Sequence, residues 1–284
     1  MDDSQKRKIA SVSSESIFKA VSPYTVAMID IKARPKELSS GTLVQIENRM
    51  FIATCKHNIP QNPEKRLWIL PSEPENVADG MIGFTSIKRH PILDLGLLEV
   101  DSESLHDYLP KKSCCKLEQV RIAGCGRANK TITLCGAPTQ FAKGDGTEIN
   151  PQKTLIMGFS SVPYTPQEFP NVPNTSHDAD QEIDIFYEYP EQGFRHDNNE
   201  ELDLEHPEGF SGGGIWDQGF TEREMWNPSN AKLIGIQSSW FEPERYARGI
   251  QIKHWLDLVW NEMPDLRQII ESSFPSENFI TFES

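Results

Sequence analysis

Short runs in which apolar residues alternate with polar ones, or in which β-branched and aromatic residues cluster, recur along most of this chain. They read "YTVAMIDI" from Tyr24, "GTLVQIE" from Gly41, "MFIATC" from Met50, "RLWIL" from Arg66 and "LGLLEV" from Leu95. The series resumes with "VRIAG" from Val120, "TITLCG" from Thr131, "TLIMGFS" from Thr154, "IDIFYEY" from Ile183, "GGIWD" from Gly213, "KLIGIQSS" from Lys232 and "RGIQI" from Arg248. Each run has the length of a strand, and Pro, Gly, Asn or Asp separates it from the next. The pattern therefore predicts an all-β sandwich or barrel rather than alternating strands and helices. "VQIENRMFIA" predicts a hairpin that turns at Glu47-Asn48.

Helical spacing is clear only near the end, where "IKHWLDLVWNEM" puts Trp255, Leu256, Val259 and Trp260 on one face. Pro264 ends that helix, and "PDLRQIIESSF" predicts a second short one before a frayed tail. "SESLHDYLPKKSCCKLEQ" has few strand features and is the expected connection between two β halves.

A length of 284 residues fits one large domain or two packed subdomains. Apolar residues make up 37% of the chain, and no apolar run approaches the roughly 20 residues of a membrane helix, so no membrane association is expected. "MDDSQKRKIASVSSES" has no apolar core of a secretory signal. Cys55, Cys114, Cys115, Cys125 and Cys135 are odd in number, include an adjacent pair and form no CxxC, so reduced thiols in a cytoplasmic protein are expected. A net charge of -14 argues against a nucleic-acid partner. Much of that acid lies in "HDADQEIDIFYEYPEQGFRHDNNEELDLEHPEG", which is either a solvated loop or a surface that attracts basic substrate segments.

Three segments carry reactive side chains in a meaningful combination. "FIATCKHNI" ends an apolar run at His57, "HPILDLGLLEV" opens one at Asp94, and "HPEGFSGGGIWD" sets Ser211 before three glycines. A serine hydroxyl is a weak nucleophile until a base takes its proton and an acid holds that base in the right tautomer. Fixing glycines costs conformational entropy, which suggests a backbone geometry that side chains would obstruct, such as N–H groups converging on an oxyanion.

These segments resemble the trypsin-like, chymotrypsin-fold serine proteases, in particular small intracellular bacterial members. "FIATCKHNI" is similar to that family's "TAAHC", "DLGLLEV" to "DIALLKL", "GFSGGGIW" to "GDSGGPL" and "KLIGIQSS" to "LVGIVSWG", in the family's order and over roughly residues 20–262. The resemblance implies an all-β fold of two packed six-stranded β-barrels with a C-terminal helix. Residues 1–19 would be a tail, 20–105 the first barrel with His57 and Asp94, and 106–116 the connection. Residues 117–262 would hold the second barrel with Ser211 and the start of the helix, and 263–284 the helix end and tail. The implied function is a serine endopeptidase working through an acyl-enzyme without metal or cofactor, on a protein or peptide substrate. His57 would be the general base facing the Ser211 hydroxyl, Asp94 its orienter, and Gly209 and Ser211 the oxyanion-hole donors. Ser238 would support the aspartate.

Several positions depart from the family pattern. Phe210 stands where secreted relatives carry an aspartate that pairs with a newly cut N-terminus, so the oxyanion loop either forms spontaneously or is ordered by another event, such as an activating partner. Gly214 replaces a proline, and Asn58 replaces a cysteine, which agrees with a reducing compartment. Glu205, in the family's register, would favour Lys or Arg in the primary pocket, whereas Trp240 would block that pocket. "GCGRANKT" has the outline of a phosphate loop, but Asn129 replaces its second glycine and a strand pattern follows, so no nucleotide is expected. An unrestrained endopeptidase would harm its host, so narrow specificity or partner activation is expected, with stress response or antiviral defence as the role by analogy. The competing reading is a catalytically silent module of the same fold that binds partners through its acidic surface. An esterase on another fold is disfavoured, because "GFSGG" fits a nucleophile elbow but the order of His57, Asp94 and Ser211 does not.

Overall fold

A computed structural model describes residues 15–33, 37–70, 83–101, 112–122, 131–142, 149, 154–170, 177–189, 191–194, 201–203, 206–219, 226–241 and 245–282. The strands of the first half are β1 Thr25–Asp30, β2 Glu37–Ile46, β3 Arg49–Thr54, β4 Leu67–Ile69, β5 Phe84–Arg89, β6 Gly96–Val100 and β7 Cys115–Lys116. Those of the second are β8 Ile132–Gly136, β9 Met157–Ser161, β10 Asp184–Glu188, β11 Gln192–Phe194, β12 Glu201–Asp203, β13 Gly214–Asp217, β14 Lys232–Phe241 and β15 Tyr246–Gln251. The first sheet runs β4-β1-β2-β3-β6-β5, with β7 added in parallel beside β2, and the second runs β10-β15-β14-β13-β8-β9. Each curls on itself, which gives the expected all-β pair of six-stranded half-barrels, and β11 and β12 form a separate hairpin.

Alternation explains why the runs in the first half look apolar throughout. Leu43, Ile52 and Leu98 point into the first half-barrel, while their neighbours Val44, Phe51 and Leu97 join a cluster with Trp216, Ile236 and Trp255. Strands buried on both faces read as continuous apolar runs rather than as strict alternation. The second half-barrel encloses its own cluster, with Leu134, Phe159, Ile185, Tyr187, Phe210, Ile215 and Ile234. Its last gap is bridged by the segment after β9, where the Tyr164 N–H donates to Phe186 O at 2.8 Å.

The hairpin turn at Glu47-Asn48 forms as expected, with Ile46 paired to Arg49 and Glu47 taking the left-handed conformation at φ 54°. "VRIAG" forms no strand over its described part: Val120 makes only an isolated bridge to Leu233. The sequence pattern also passes over β5, whose "FTSIKR" has several polar positions and is only partly buried. Two terminal segments are more structured than expected. Residues 15–21 are helical, with Ile17, Phe18 and Val21 in the core. The segment expected to fray instead docks on the helix Ile252–Glu262, where the Ile280 N–H donates to Asp257 Oδ1 and the Phe282 N–H to Asn261 Oδ1, each at 3.0 Å. The expected connection is described only from residue 112, and its Cys115–Lys116 is the short strand β7.

The helix Ile252–Glu262 ties the two halves together, because the fully buried Trp255 donates its indole N–H to Gly96 O at 3.1 Å and packs edge-on to Phe51. Trp255→Ala removes this packing and leaves a cavity, so it should lower unfolding free energy by about 3–5 kcal/mol in chemical denaturation.

Candidate active site

The register of β3 and β6 brings His57 to Asp94. Thr54 at the end of β3 pairs with Gly96 at the start of β6, so the chain leaving one strand and the chain entering the other lie at the same end of the sheet. His57 sits in the 3-10 turn Lys56–Asn58 just past β3, and its Nδ1 lies 2.7 Å from Asp94 Oδ2. Its backbone N–H donates to Asp94 Oδ1 at 3.1 Å, and the Ser238 hydroxyl, from β14 of the other sheet, donates to Oδ2 at 2.9 Å. Ser211 lies across the same cleft, but its hydroxyl donates to Ser238 O at 3.2 Å. In this rotamer the hydroxyl is satisfied on a backbone carbonyl.

The loop 206–211 is held through its backbone carbonyls. Glu208 O accepts from the Thr139 N–H at 2.8 Å, and a trans peptide then turns the Gly209 N–H the opposite way. Neither the Gly209 nor the Ser211 N–H has an acceptor among the described residues. Gly209 has φ +94°, and a Cβ there would lie 2.3 Å from Ala137 O, so both conformation and space require glycine. Gly212, at φ +91°, passes equally close to Ser40 O. Phe210 is buried against Phe159 and Tyr189, so an apolar ring anchors the loop.

Three residues with no assigned role in the sequence reading complete this construction. The buried Ser40 hydroxyl donates to Gly209 O at 2.6 Å and accepts from the Ala137 N–H at 2.8 Å, while the Ser40 N–H donates to Ser211 O at 2.8 Å. The Asn58 side-chain amide donates to Ser211 O and to Thr54 Oγ1, and Thr54 Oγ1 donates to Ser40 O. The signal available in the sequence is "LSSGT", a polar stretch inside a strand whose every described residue from Leu38 to Val44 is buried. Buried hydroxyls need partners, and these find the reactive loop of the other half.

Burial pushes the Asp94 carboxyl up, but the hydrogen bond and charge of His57, its N–H and the Ser238 hydroxyl together outweigh that and hold it below the usual range. A carboxylate is the resulting form at neutral pH. The buried Cys55 thiol is pushed well up by burial and by the Asp94 charge, and it donates to Gln237 O at 2.9 Å. Ligand atoms of Cys55, His57 and Asp94 lie within 4.8 Å of one another. A protonated thiol and a direct imidazole–carboxylate hydrogen bond fit a hydrogen-bonded His57–Asp94 pair better than a metal centre.

The Asp94 loop has a support of its own. His90 Nδ1 accepts from the Leu93 N–H at 2.9 Å and the Ile92 N–H at 3.2 Å, and Lys56 Nζ donates to His90 O and Pro91 O. Burial, aided by His254 and Lys56 and opposed by Asp257, lowers the His90 pKa to about 4. An Nδ1 that accepts two hydrogen bonds must be unprotonated, which agrees with the direction in which burial moves the ring.

The cleft beside the pair has a volume of about 480 Å³, and His57, Asn58, Ser39, Arg66, Gly209 and Ser211 are among its lining residues. Trp240 and Ser238 are not. Trp240 instead packs against Tyr189, with ring centroids 4.9 Å apart, and lies 6.2 Å from the His206 ring. Glu205, the candidate for a basic preference, lies outside the described residues, as do Cys125 and most of the phosphate-loop lookalike.

No protein-family model and no curated protein matches the chain. Solved structures do match. The HtrA-type protease AlgW with tripeptide has 13% identity and a TM-score of 0.50 over 91% of this chain and 64% of its own. A serine endoprotease from Yersinia pestis has 16% identity and a TM-score of 0.50 over 90% of this chain and 66% of its own. The chain thus spans a little under two thirds of the length of these two proteins. A scabies mite inactivated protease paralogue has 10% identity and a TM-score of 0.52 over 88% of this chain and 97% of its own. The fold is that of the trypsin-like serine proteases, and it is shared here by proteins described as proteases and by one described as inactivated.

Two outcomes follow for the loops. Gly209→Ala should cost about 1–3 kcal/mol by forcing a side chain into a left-handed, crowded position, read as a lower melting temperature. The unfolded chain takes up a proton at His90 near the ordinary 6.5 that the folded chain resists down to about 4, so this contribution to stability is complete above pH 6.5 and lost as pH falls toward 4. His90→Asn, which keeps an acceptor without that titration, should flatten the fall, measured by thermal melts across that range.

Proposed function

We propose that the chain is a serine endopeptidase that cleaves peptide bonds through an acyl-enzyme, with His57 as base, Asp94 as its orienter and Ser211 as nucleophile. The observation that carries this reading is the Asp94 carboxylate, which takes hydrogen bonds from His57 and Ser238 while Gly209 and Ser211, whose N–H groups have no acceptor among the described residues, line the same cleft as His57.

Rotation about the Ser211 Cα–Cβ bond, between staggered wells, releases the hydroxyl from Ser238 O and turns it toward His57 Nε2. As Oγ bonds to the scissile carbonyl carbon, its proton passes to Nε2, and Asp94 stabilises the imidazolium that forms. The carbonyl oxygen takes the negative charge and is met by the Gly209 and Ser211 N–H groups. Collapse breaks the C–N bond, the amine leaves with the proton from His57, and water repeats the sequence to release the acid.

Restraint of the enzyme comes from narrow substrate choice in this reading. The oxyanion loop is held by Ser40, Asn58 and Phe210, so it needs neither a cut N-terminus nor a partner to form. Free thiols at Cys55, Cys114, Cys115 and Cys135 support a reducing, cytoplasmic setting.

A fluorophosphonate probe should label the wild-type chain at one site and fail to label Ser211→Ala. Asp94→Asn should label roughly 10³–10⁴-fold more slowly. An unlabelled wild type would instead favour the silent binding module.

A further inference from the structure

We infer that His90 is a positioning residue for Asp94, and that Phe282 of the C-terminal segment is the cover that keeps its ring dry. The placement stands on contacts alone, while its consequence for rate rests on the endopeptidase reading above.

Residues 90–95 leave β5, turn back and set Asp94 against His57 before β6 begins at Gly96. So short a turn makes few backbone pairs, and the ones it makes close on one residue. The His90 N–H donates to Leu95 O at 2.9 Å, while His90 Nδ1 accepts from the Leu93 N–H at 2.9 Å and the Ile92 N–H at 3.2 Å. Asp94 follows directly on the two N–H groups held in this way. The ring's one proton must then sit on Nε2. A proton on Nδ1 would break both bonds at once and leave two N–H groups without their acceptor.

Phe282 is what covers the imidazole from the C-terminal side. His90 is only 5% exposed, and the Phe282 ring stands edge-on to it, with centroids 4.6 Å apart at 65°. The helix Ile252–Glu262 brings that ring into place: the Phe282 N–H donates to Asn261 Oδ1, the Ile280 N–H donates to Asp257 Oδ1, and the Asn261 amide donates to Ile280 O at 2.7 Å. Phe279 stacks on Trp260 at 13°, with Lys253 Nζ 5.9 Å from the Phe279 ring. Charged groups reach His90 from that helix and from the turn after β3. Burial is the largest influence against its protonation, His254 and Lys56 add to it, and Asp257 opposes it. Arg89, next to it in the chain, is occupied at Ile59 O and Pro60 O. Without the Phe282 ring, water reaches the imidazole, its titration moves back toward 6.5, and mild acid then releases the loop that carries Asp94.

Nitrogen NMR of the full chain reads the ring directly. In wild type, His90 should keep an unprotonated Nδ1 down to pH 5, and a ring that takes up its proton near pH 6.5 would overturn the inference, whichever variants fold. Phe282→Ala should label with a fluorophosphonate at least about tenfold more slowly than wild type at pH 6, within the roughly hundredfold that a 1 Å misplacement can cost. That deficit should narrow at pH 8. The His57 Nδ1 resonance, which moves with its hydrogen bond to Asp94, should change in the same variant over the same range. His90→Asn in the Phe282→Ala background keeps an acceptor that does not titrate, so it should remove the pH dependence of the deficit. A deficit equal at both pH values, or no deficit together with an unmoved His57 resonance, would defeat the inference and leave the endopeptidase reading intact. Wild type that never labels would remove that reading, and the His57 resonance would still decide whether His90 positions Asp94.

Discussion

One buried hydroxyl holds the candidate site in its geometry. Ser40 sits on β2 of the first half-barrel, yet its Oγ bonds Gly209 O and the Ala137 N–H of the second, and its backbone N–H takes Ser211 O. A hydroxyl with a donor on one side and an acceptor on the other is fully committed, and in a dry interface neither bond is exchanged for water. Ser40 thus holds the carbonyls of Gly209 and Ser211 and Thr139 holds that of Glu208, while the N–H groups of Gly209 and Ser211 have no acceptor among the described residues.

The Asp94 side of the site is built by the same economy of buried polar groups. The short loop between β5 and β6 closes on His90 Nδ1, is pinned at its carbonyls by Lys56, and passes directly into Gly96, whose carbonyl takes the Trp255 indole N–H. Phe282 lies edge-on to the His90 ring, with centroids 4.6 Å apart, so the segment docked on the long helix reaches the loop that carries the carboxylate. Asp94 is thereby placed by residues of the first half-barrel and of the C-terminal segment, which limits how far its carboxylate can drift from His57.

The strands, the Glu47-Asn48 hairpin and the terminal helix were legible because strand alternation and helical spacing are local signals, whereas the grouping of the strands into two half-barrels was legible through resemblance. The positions of His57, Asp94, Ser211 and Ser238 were legible through resemblance, since each stands beside a recognisable strand. What was not legible depends on contacts distant in sequence. Ser40 and Asn58 act on a loop more than 150 residues away, and nothing in their immediate neighbourhoods says so beyond the presence of polar atoms in a buried stretch. The Ser211 rotamer is set by a choice between two acceptors that periodicity cannot rank. β5 escaped because a partly exposed strand tolerates polar residues at positions where a fully buried one does not.

Phe210 anchors the loop before Ser211 by burial rather than by charge. A buried aspartate before the nucleophile is stable only with a cationic partner, so a loop built on it depends on when that partner arrives. A buried phenylalanine needs no partner; its ring is held by Phe159 and Tyr189 and draws on apolar burial, which neither a proteolytic cut nor a protonation event switches. Tyr189 also contacts Trp240, so the rings that hold this loop continue to the end of β14.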